Sequence, residues 1–393
     1  MPSDSSPTGR PAVVVVPAYR RGDTGPAVAE IRAKLGVLGL LAEGEGSELL
    51  DPSGALFDEA TDLAVRAFQQ ARGISVDGVV GPRTYHALDE ARWRLGDRIL
   101  FFVPARLMAG DDVATLQQRL LDMGFDCGRV DGLFGVETEQ SLREFQRNIG
   151  VAADGTCGPA TFKALTQLTR TVVGGSPHAM RDSEAITRAG PALAGKLVII
   201  DPARSEGGGR VDHTTVYDIA TRLEGRLSAT GASAFLTRGP ESAAADGPSE
   251  EDQASFANAA GADLLISLHV NRHPNPEASG VATYFYGNDE YGHHSAVGER
   301  LADLVQREIC ARTDLVDCRV HPKTWDVLRR TRMPAVRVEV GYLSHAGDAA
   351  RLADPAFRDT LAEAIGAAVQ RLYLAPEDDA VTGVLRIPEW LRA

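Results

Sequence analysis

Cysteine is scarce in this chain. Four residues, Cys127, Cys157, Cys310 and Cys318, stand among 393, and none shares CxxC spacing, so no disulfide framework is expected and buried free thiols are the default. Long apolar runs are missing too: no stretch approaches the roughly 20 residues that a membrane-spanning helix needs. Positive charge is in deficit, with 41 basic against 54 acidic residues and a net charge of −13, which argues against nucleic-acid and anionic-membrane partners because both demand a cationic footprint. No secretion leader is expected either. In residues 1–21 the apolar run Ala12 to Val16 is short, lies between Pro11 and Pro17 and follows Asp4, so a polar arm entering a short strand is expected, in a protein that stays in the cytoplasm.

What the sequence does contain, 44% apolar and 24% charged residues over this length, is enough for two or three buried cores. The first half repeats itself. At an offset of 77, Phe57, Thr61, Phe68-Gln69 and Gly73 fall on Phe134, Thr138, Phe145-Gln146 and Gly150. The loop Asp77-Gly78-Val79-Val80-Gly81-Pro82-Arg83-Thr84 falls on Asp154-Gly155-Thr156-Cys157-Gly158-Pro159-Ala160-Thr161. Upstream the offset is 85, as Val28, Ile31, Leu35 and Gly39 meet Val113, Leu116, Leu120 and Gly124, so the first copy carries eight extra residues between Gly39 and Phe57, expected as a surface loop. The i, i+3, i+7 spacing marks one helix face, a second helix leads into Phe-Gln, and Pro82 or Pro159 opens a third. Helix, Phe-Gln and then DGxxGPxT is similar to the peptidoglycan-binding repeat. That resemblance implies a groove for glycan and peptide, although every named residue also serves capping and packing.

Periodicity lapses around Gly174-Gly175-Ser176-Pro177. From Lys196 short apolar runs (Leu197 to Ile200, Ala232 to Leu236, Leu264 to Leu268, Val281 to Phe285, Ala335 to Val340) alternate with amphipathic stretches (Val216 to Thr230, Ser295 to Ala311, Pro355 to Leu372), the pattern of an α/β domain. The ordered series LVIIDP (197–202), Leu236-Thr237-Arg238, Ala257-Asn258, Gly261-Ala262-Asp263, ISLHVN (266–271), Ser279-Gly280-Val281 and MPA (333–335) through EVGYLS (339–344) resembles the amidase-3 family of N-acetylmuramoyl-L-alanine amidases. The reading is thus multidomain: two all-α three-helix repeats over 22–95 and 106–170, a linker over 171–192, an α/β amidase-3-like domain with a central mixed sheet flanked by helices over 193–374, and flexible ends over 1–21 and 375–393.

The family resemblance implies hydrolysis of the amide between muramic acid and L-alanine by one zinc held by His, Glu and His, with a Glu after the last strand as general base. Zinc chemistry of this kind needs three protein ligands, an open position for water and a carboxylate to take its proton. Carried over residue by residue, His269 is the second histidine, Glu339 the general base, and Asp212 stands for the ligand glutamate with an arm one methylene shorter. The slot of the first histidine holds Arg204, a side chain that is always protonated and has no lone pair to give. Arg337 shares a strand face with Glu339 where family members usually carry an apolar residue. The expectation is that Arg204, with Arg337, replaces the charge of the metal and pairs with Asp212 and Glu339, leaving a remnant site that holds no zinc. His213, beside Asp212, is the histidine best placed to substitute as a ligand, and His345 stands where the family often has Asn.

Beyond Tyr373 an acidic stretch carries Asp378, Asp379 and Thr382. Two repeats, an amidase domain without its first histidine and this tail resemble an actinobacterial regulatory branch of the family. The resemblance implies that a membrane Ser/Thr protein kinase phosphorylates Thr382, that the protein then activates UDP-N-acetylglucosamine enolpyruvyl transferase, and that a phosphothreonine-binding FHA protein is a further partner, with membrane association through partners. A phosphate adds about −1.5 to −2 charges to such a segment. Two alternatives stay open: an active zinc amidase, and a sensor of muropeptide or lipid-linked precursor.

Overall fold

The structure is a computed structural model that describes residues 18–41, 54–168, 177–203, 210–239, 248–288, 293–374 and 379. Arg204, Thr382, most of the N-terminal arm, the insert over 42–53 and the tail apart from Asp379 lie outside the described residues. The first repeat is α1 (Pro26–Val37), α2 (Glu59–Ala71) and α3 (Pro82–Ala91), and the second is α4 (Asp111–Asp122), α5 (Val136–Ile149) and α6 (Pro159–Gln167). Each encloses its own core. Val28, Ile31, Leu35, Phe57, Val65, Phe68 and Leu88 fill the first, and Val113, Leu116, Leu120, Phe134, Leu142, Phe145 and Leu165 the second. Tyr19 pairs with Val80 through an antiparallel bridge, which ties the chain entry to the first loop.

The loops between these helices are closed by buried glutamines. Gln69 donates to the Asp77 carboxylate, the Val79 carbonyl and Thr84 Oγ1, while its own carbonyl accepts from the amides of Asp77 and Gly78. Gln146 repeats the pattern with Asp154, Thr156, Thr161 and the Gly155 amide. A third closure went unread in the sequence: Gln117 binds Asp131, Leu133, Thr138 and the Gly132 amide, so Asp131-Gly132-Leu133-Phe134-Gly135-Val136-Glu137-Thr138 is the same loop in the first half of the second repeat. The glycine after each Asp takes positive φ (73°, 70° and 74° at Gly78, Gly132 and Gly155), the conformation only glycine adopts without strain. In the first half of the first repeat Arg32 takes the role of the glutamine, reaching the Leu56 carbonyl and Thr61.

The stretch read as linker contains a helix, α7 (Pro177–Arg188), whose Ile186 packs on the core of the C-terminal domain. Pro177 breaks periodicity when read forwards, yet proline is well suited to the first helical turn, and the helix begins there.

The C-terminal domain runs β1 (Leu197–Pro202), α8 (Arg210–Ala229), β2 (Ser233–Leu236), α9 (Glu250–Ala260), β3 (Leu264–Asn271), β4 (Val281–Asn288), β5 (His293–His294), α10 (Ala296–Arg312), β6 (Asp317–Lys323), α11 (Asp326–Arg329), β7 (Ala335–Tyr342), α12 (Ala346–Ala353) and α13 (Pro355–Tyr373). Strands β2, β1, β3 and β7 are parallel neighbours in that order, β4 joins β7 antiparallel, and β6 and β5 both pair with β4. The sheet is therefore mixed. Leu264, Ile266, Leu268 and Val270 face the core with α8, α10 and α13, while Ile199, Leu265 and Ala335 face the other side, with Ala257 of α9 and Val327 and Leu328 of α11.

Both repeats sit against this second face. Arg83 pairs with Glu250 at 2.6 Å, Arg329 with Glu90 at 2.8 Å, the Tyr286 hydroxyl donates to the Val130 carbonyl at 3.0 Å, and His293 Nε2 meets Gln118 Oε1. The helices of the domain include none long and apolar enough to cross a membrane among the described residues. All four cysteines are free thiols, Cys127 and Cys157 buried.

Candidate functional site

Period-two alternation along β3 and β7 places Ser267, His269, Arg337 and Glu339 on the sheet face that looks toward α9 and α11. His269 and Glu339 are register partners. Asp201, at the end of β1, is the register partner of Ser267. A buried polar line crosses the strands. Thr237 and Ser267 donate to the two Asp201 oxygens at 2.5 and 2.6 Å, and Ser267 Oγ lies 2.9 Å from His269 Nε2. Burial raises the Asp201 pKa, and these two hydroxyls oppose the rise by bonding its charged form.

This line fixes the imidazole. A serine hydroxyl has one proton, and here it goes to Asp201, so Nε2 of His269 must carry the hydrogen that Ser267 accepts. Only Nδ1 then keeps a lone pair. His269 is buried, and desolvation first, then the guanidiniums of Arg337 and Arg83, hold its pKa well below 6.5. The same positive field acts against any divalent cation beside it.

The two carboxylates are both held by arginines. Arg337 Nη2 donates to Glu339 Oε1 at 3.0 Å, and Asn271 donates to Glu339 Oε2 at 2.9 Å. Arg272 forks onto Asp212, Nε to Oδ2 at 2.9 Å and Nη2 to Oδ1 at 2.8 Å, with Asp212 buried to 1% exposure. The Arg272–Asp212 pair is bidentate, a strong arrangement that engages both carboxylate oxygens, whereas Arg337 reaches Glu339 through one bond. Arg337 is set by two further contacts: its guanidinium carbon lies 4.1 Å from the Trp325 ring centre, and Nη1 is 3.3 Å from Glu250 Oε1, an oxygen that Arg83 of the first repeat also holds at 2.6 Å.

The structure thus brings Arg337 to Glu339, as the strand alternation implied, and puts Arg272 on Asp212; what Arg204 contacts lies outside the described residues. Sequence reasoning passed over Arg272, Asn271, Glu250 and Arg83. Arg272 carried one signal, a cation placed directly after the His-Val-Asn end of a buried strand. Among the described residues no three His, Cys, Asp or Glu side chains gather in a way that could hold a metal ion, so the donors seen do not fit zinc. His345 caps α12, its ring accepting from the Asp348 amide at 3.2 Å.

With a mixed sheet whose C-terminal strand ends carry His269, Asp201 and Glu339, this chain belongs to the amidase-3 family of N-acetylmuramoyl-L-alanine amidases. The family model matches residues 198–371, and the peptidoglycan-binding domain model matches 24–88 and 109–165. Over 390 residues the chain is 47% identical to the N-acetylmuramoyl-L-alanine amidase CwlM of Mycobacterium tuberculosis, covering 95% of this chain and 94% of that protein. It is 28% identical over 179 residues to the amidase LytC of Bacillus subtilis, covering 44% of this chain and 34% of the relative. A crystal structure of an N-acetylmuramoyl-L-alanine amidase from Clostridium difficile 630 aligns at 26% identity with a TM-score of 0.40, covering 45% of this chain and 95% of that one.

Proposed function

We propose that this family member does not hydrolyse wall but regulates its synthesis from the cytoplasm, activating UDP-N-acetylglucosamine enolpyruvyl transferase when a Ser/Thr kinase has phosphorylated Thr382. One observation carries the loss of hydrolysis: both carboxylates that should serve zinc, Asp212 and Glu339, are taken by guanidinium pairs. Freeing them would leave buried charges without a cation, a penalty of several kcal/mol that metal binding must first overcome.

Arg204 supports the same reading from the sequence, since it stands in the first ligand slot. The regulator role rests on the resemblance that Thr382 and the acidic tail carry, with Asp378 and Asp379 extending a phosphothreonine into an anionic epitope.

The second reading, an active zinc amidase, is favoured by the name of the mycobacterial relative. Two assays separate them. Purified protein is expected to contain far less than one zinc per chain and to release no muropeptide with or without added zinc; a stoichiometric metal together with turnover overturns the proposal. Phosphorylated protein is expected to raise transferase activity and Thr382→Ala not to, and equal activity in both removes the tail from the mechanism.

A further inference from the structure

Helix α13 ends at Tyr373, and the chain comes back against the same domain at Asp379. Asp379 Oδ1 accepts from Arg371 Nη1 of α13, and Arg307 Nη2 of α10 lies 3.3 and 3.4 Å from the two Asp379 oxygens. Arg371 is wholly buried. Its Nε lies 2.7 Å from Oε1 of Glu308, a buried carboxylate of α10 that also meets Arg312. The guanidinium of Arg371 is thus set between one carboxylate on a helix and one beyond a helix end.

The charges of this seam are level only with Asp379 in place. Among the described residues, its ion pairs join Arg307, Arg312 and Arg371 to Glu308, Asp379 and, at the exposed rim 3.9 Å from Arg312, Glu363. Without Asp379 the same three cations face two carboxylates. An arginine does not shed its proton, and a buried charge that loses a partner is strongly destabilising, so the seam has a standing demand for a carboxylate. Glu308 is fixed on its helix. Asp379, its side chain 17% exposed, lies outside any helix and can leave.

From this arrangement we infer that the seam of α10 and α13 is a docking site for an acidic peptide segment, occupied in cis by the chain's own C-terminal segment through Asp379. A partner that reads this segment as an extended peptide must first release Asp379 from Arg371 and Arg307. Guanidinium donors converging on one carboxylate are the chemistry by which acidic motifs are recognised. Docking and capture are then linked: each weakens the other, and the partner's apparent affinity is scaled by the undocked fraction. Thr382 lies three positions beyond Asp379, so a partner that reads a few residues on either side of Thr382 competes with the seam. The inference rests on the regulatory reading of the tail only for the identity of that partner.

Endoproteinase Glu-C, which cuts after glutamate in an extended chain, serves as a probe of that competition. The tail offers it Glu377, beside the anchor, and Glu389, well beyond it, as an internal reference. Digestion of the full chain, followed by intact mass, gives the ratio of the two cleavage rates. Asp379→Asn should raise the Glu377 to Glu389 ratio about tenfold, the loss of a charge-assisted bond when cleavage follows the open fraction. Arg307→Gln, at a side chain 38% exposed, leaves the tail sequence unchanged and should raise the ratio about threefold, since its bonds to Asp379 are the longer ones. A ratio that Arg307→Gln leaves at the wild-type value, an uncut Glu377 included, overturns the proposal whatever Asp379→Asn does, because Asp379→Asn also alters the sequence that the protease reads. Neither kinase nor transferase enters the assay, so a tail without a regulatory role would leave the docking result standing.

Discussion

Arg83 in the first repeat and Glu250 in the C-terminal domain meet at 2.6 Å across 167 positions of chain, and Glu250 passes that contact on to Arg337 and so to Glu339. The outer end of this series is half-exposed and the inner end is buried, so its members should differ in strength. Arg83→Ala is expected to lower stability by only about 0.5 kcal/mol, as exposed pairs do. A double-mutant cycle of Arg83→Ala with Glu250→Gln, read by urea denaturation, should return a coupling below about 1 kcal/mol.

At the inner end the balance changes. Arg337→Met leaves Glu339, 4% exposed, with Asn271 and Tyr284 but no cation, and should destabilise the domain by about 3 kcal/mol. Adding Glu339→Gln removes the stranded charge and should restore much of that loss. Thermal melts of the single and double variants check this, and a double variant no more stable than Arg337→Met would mean that the pair does not neutralise Glu339.

How much of this was legible in the sequence follows from how local each feature is. Strands β1 and β3 are buried on both faces and announce themselves by apolar runs, and β7 by valines alternating with Arg337 and Glu339. Strand β6, Asp-Cys-Arg-Val-His-Pro-Lys, lies at the sheet margin with exposed and partly exposed positions alternating, so no apolar run announced it. Helix α9 is rich in alanine and polar residues, and its only clear sign was the capping box of Ser249 and Asp252. The residue types of the site could be carried over one by one, but their partners could not. Arg272 meets Asp212 because the end of β3 abuts the start of α8, a contact across 60 positions that no periodicity encodes.

The third glutamine closure escaped for a different reason. A comparison at an offset of 77 aligns whole repeats, whereas Asp131 to Thr138 is a half-repeat echo within one unit. Its weight is testable. Gln117→Ala and Gln146→Ala each remove a side chain that holds a loop through buried bonds to side-chain and backbone groups, and each should cost between about 2 and 4 kcal/mol. Gln118→Ala, one position along the same helix, should cost less than about 1 kcal/mol. Equal losses for Gln117 and Gln118 would deny the loops their role.

The seam with the second repeat should be sensitive to acid. Burial holds the pKa of His293 below 6.5, with His294 acting in the same direction and Asp122 opposing. A histidine whose folded pKa is depressed contributes its full stability above the unfolded value and loses it as pH falls below about 6.5, because only the unfolded chain then takes up the proton. Urea midpoints measured between about pH 7 and pH 5 should therefore fall, and His293→Asn should flatten part of that slope.

Thiol chemistry gives a separate check on the cores. Burial pushes the Cys157 thiol up to about 12 and Cys310 to about 11, and raises Cys127 and Cys318 as well. With so little thiolate, none should react quickly with Ellman's reagent at mildly alkaline pH in the folded protein, and all four should react once urea is added. Rapid reaction of Cys127 or Cys157 in the native protein would show that the second repeat opens readily.

The glutamine closures have a consequence for the order in which the molecule assembles. Each joins groups at most 21 positions apart, so the repeats can collapse as soon as they leave the ribosome. Strand β7, which completes the domain by pairing with β3, arrives far later, and Arg83 must wait for Glu250. Two finished helical units therefore stand ready as a template, and the sheet face bearing α9 and α11 is laid against a surface that already exists.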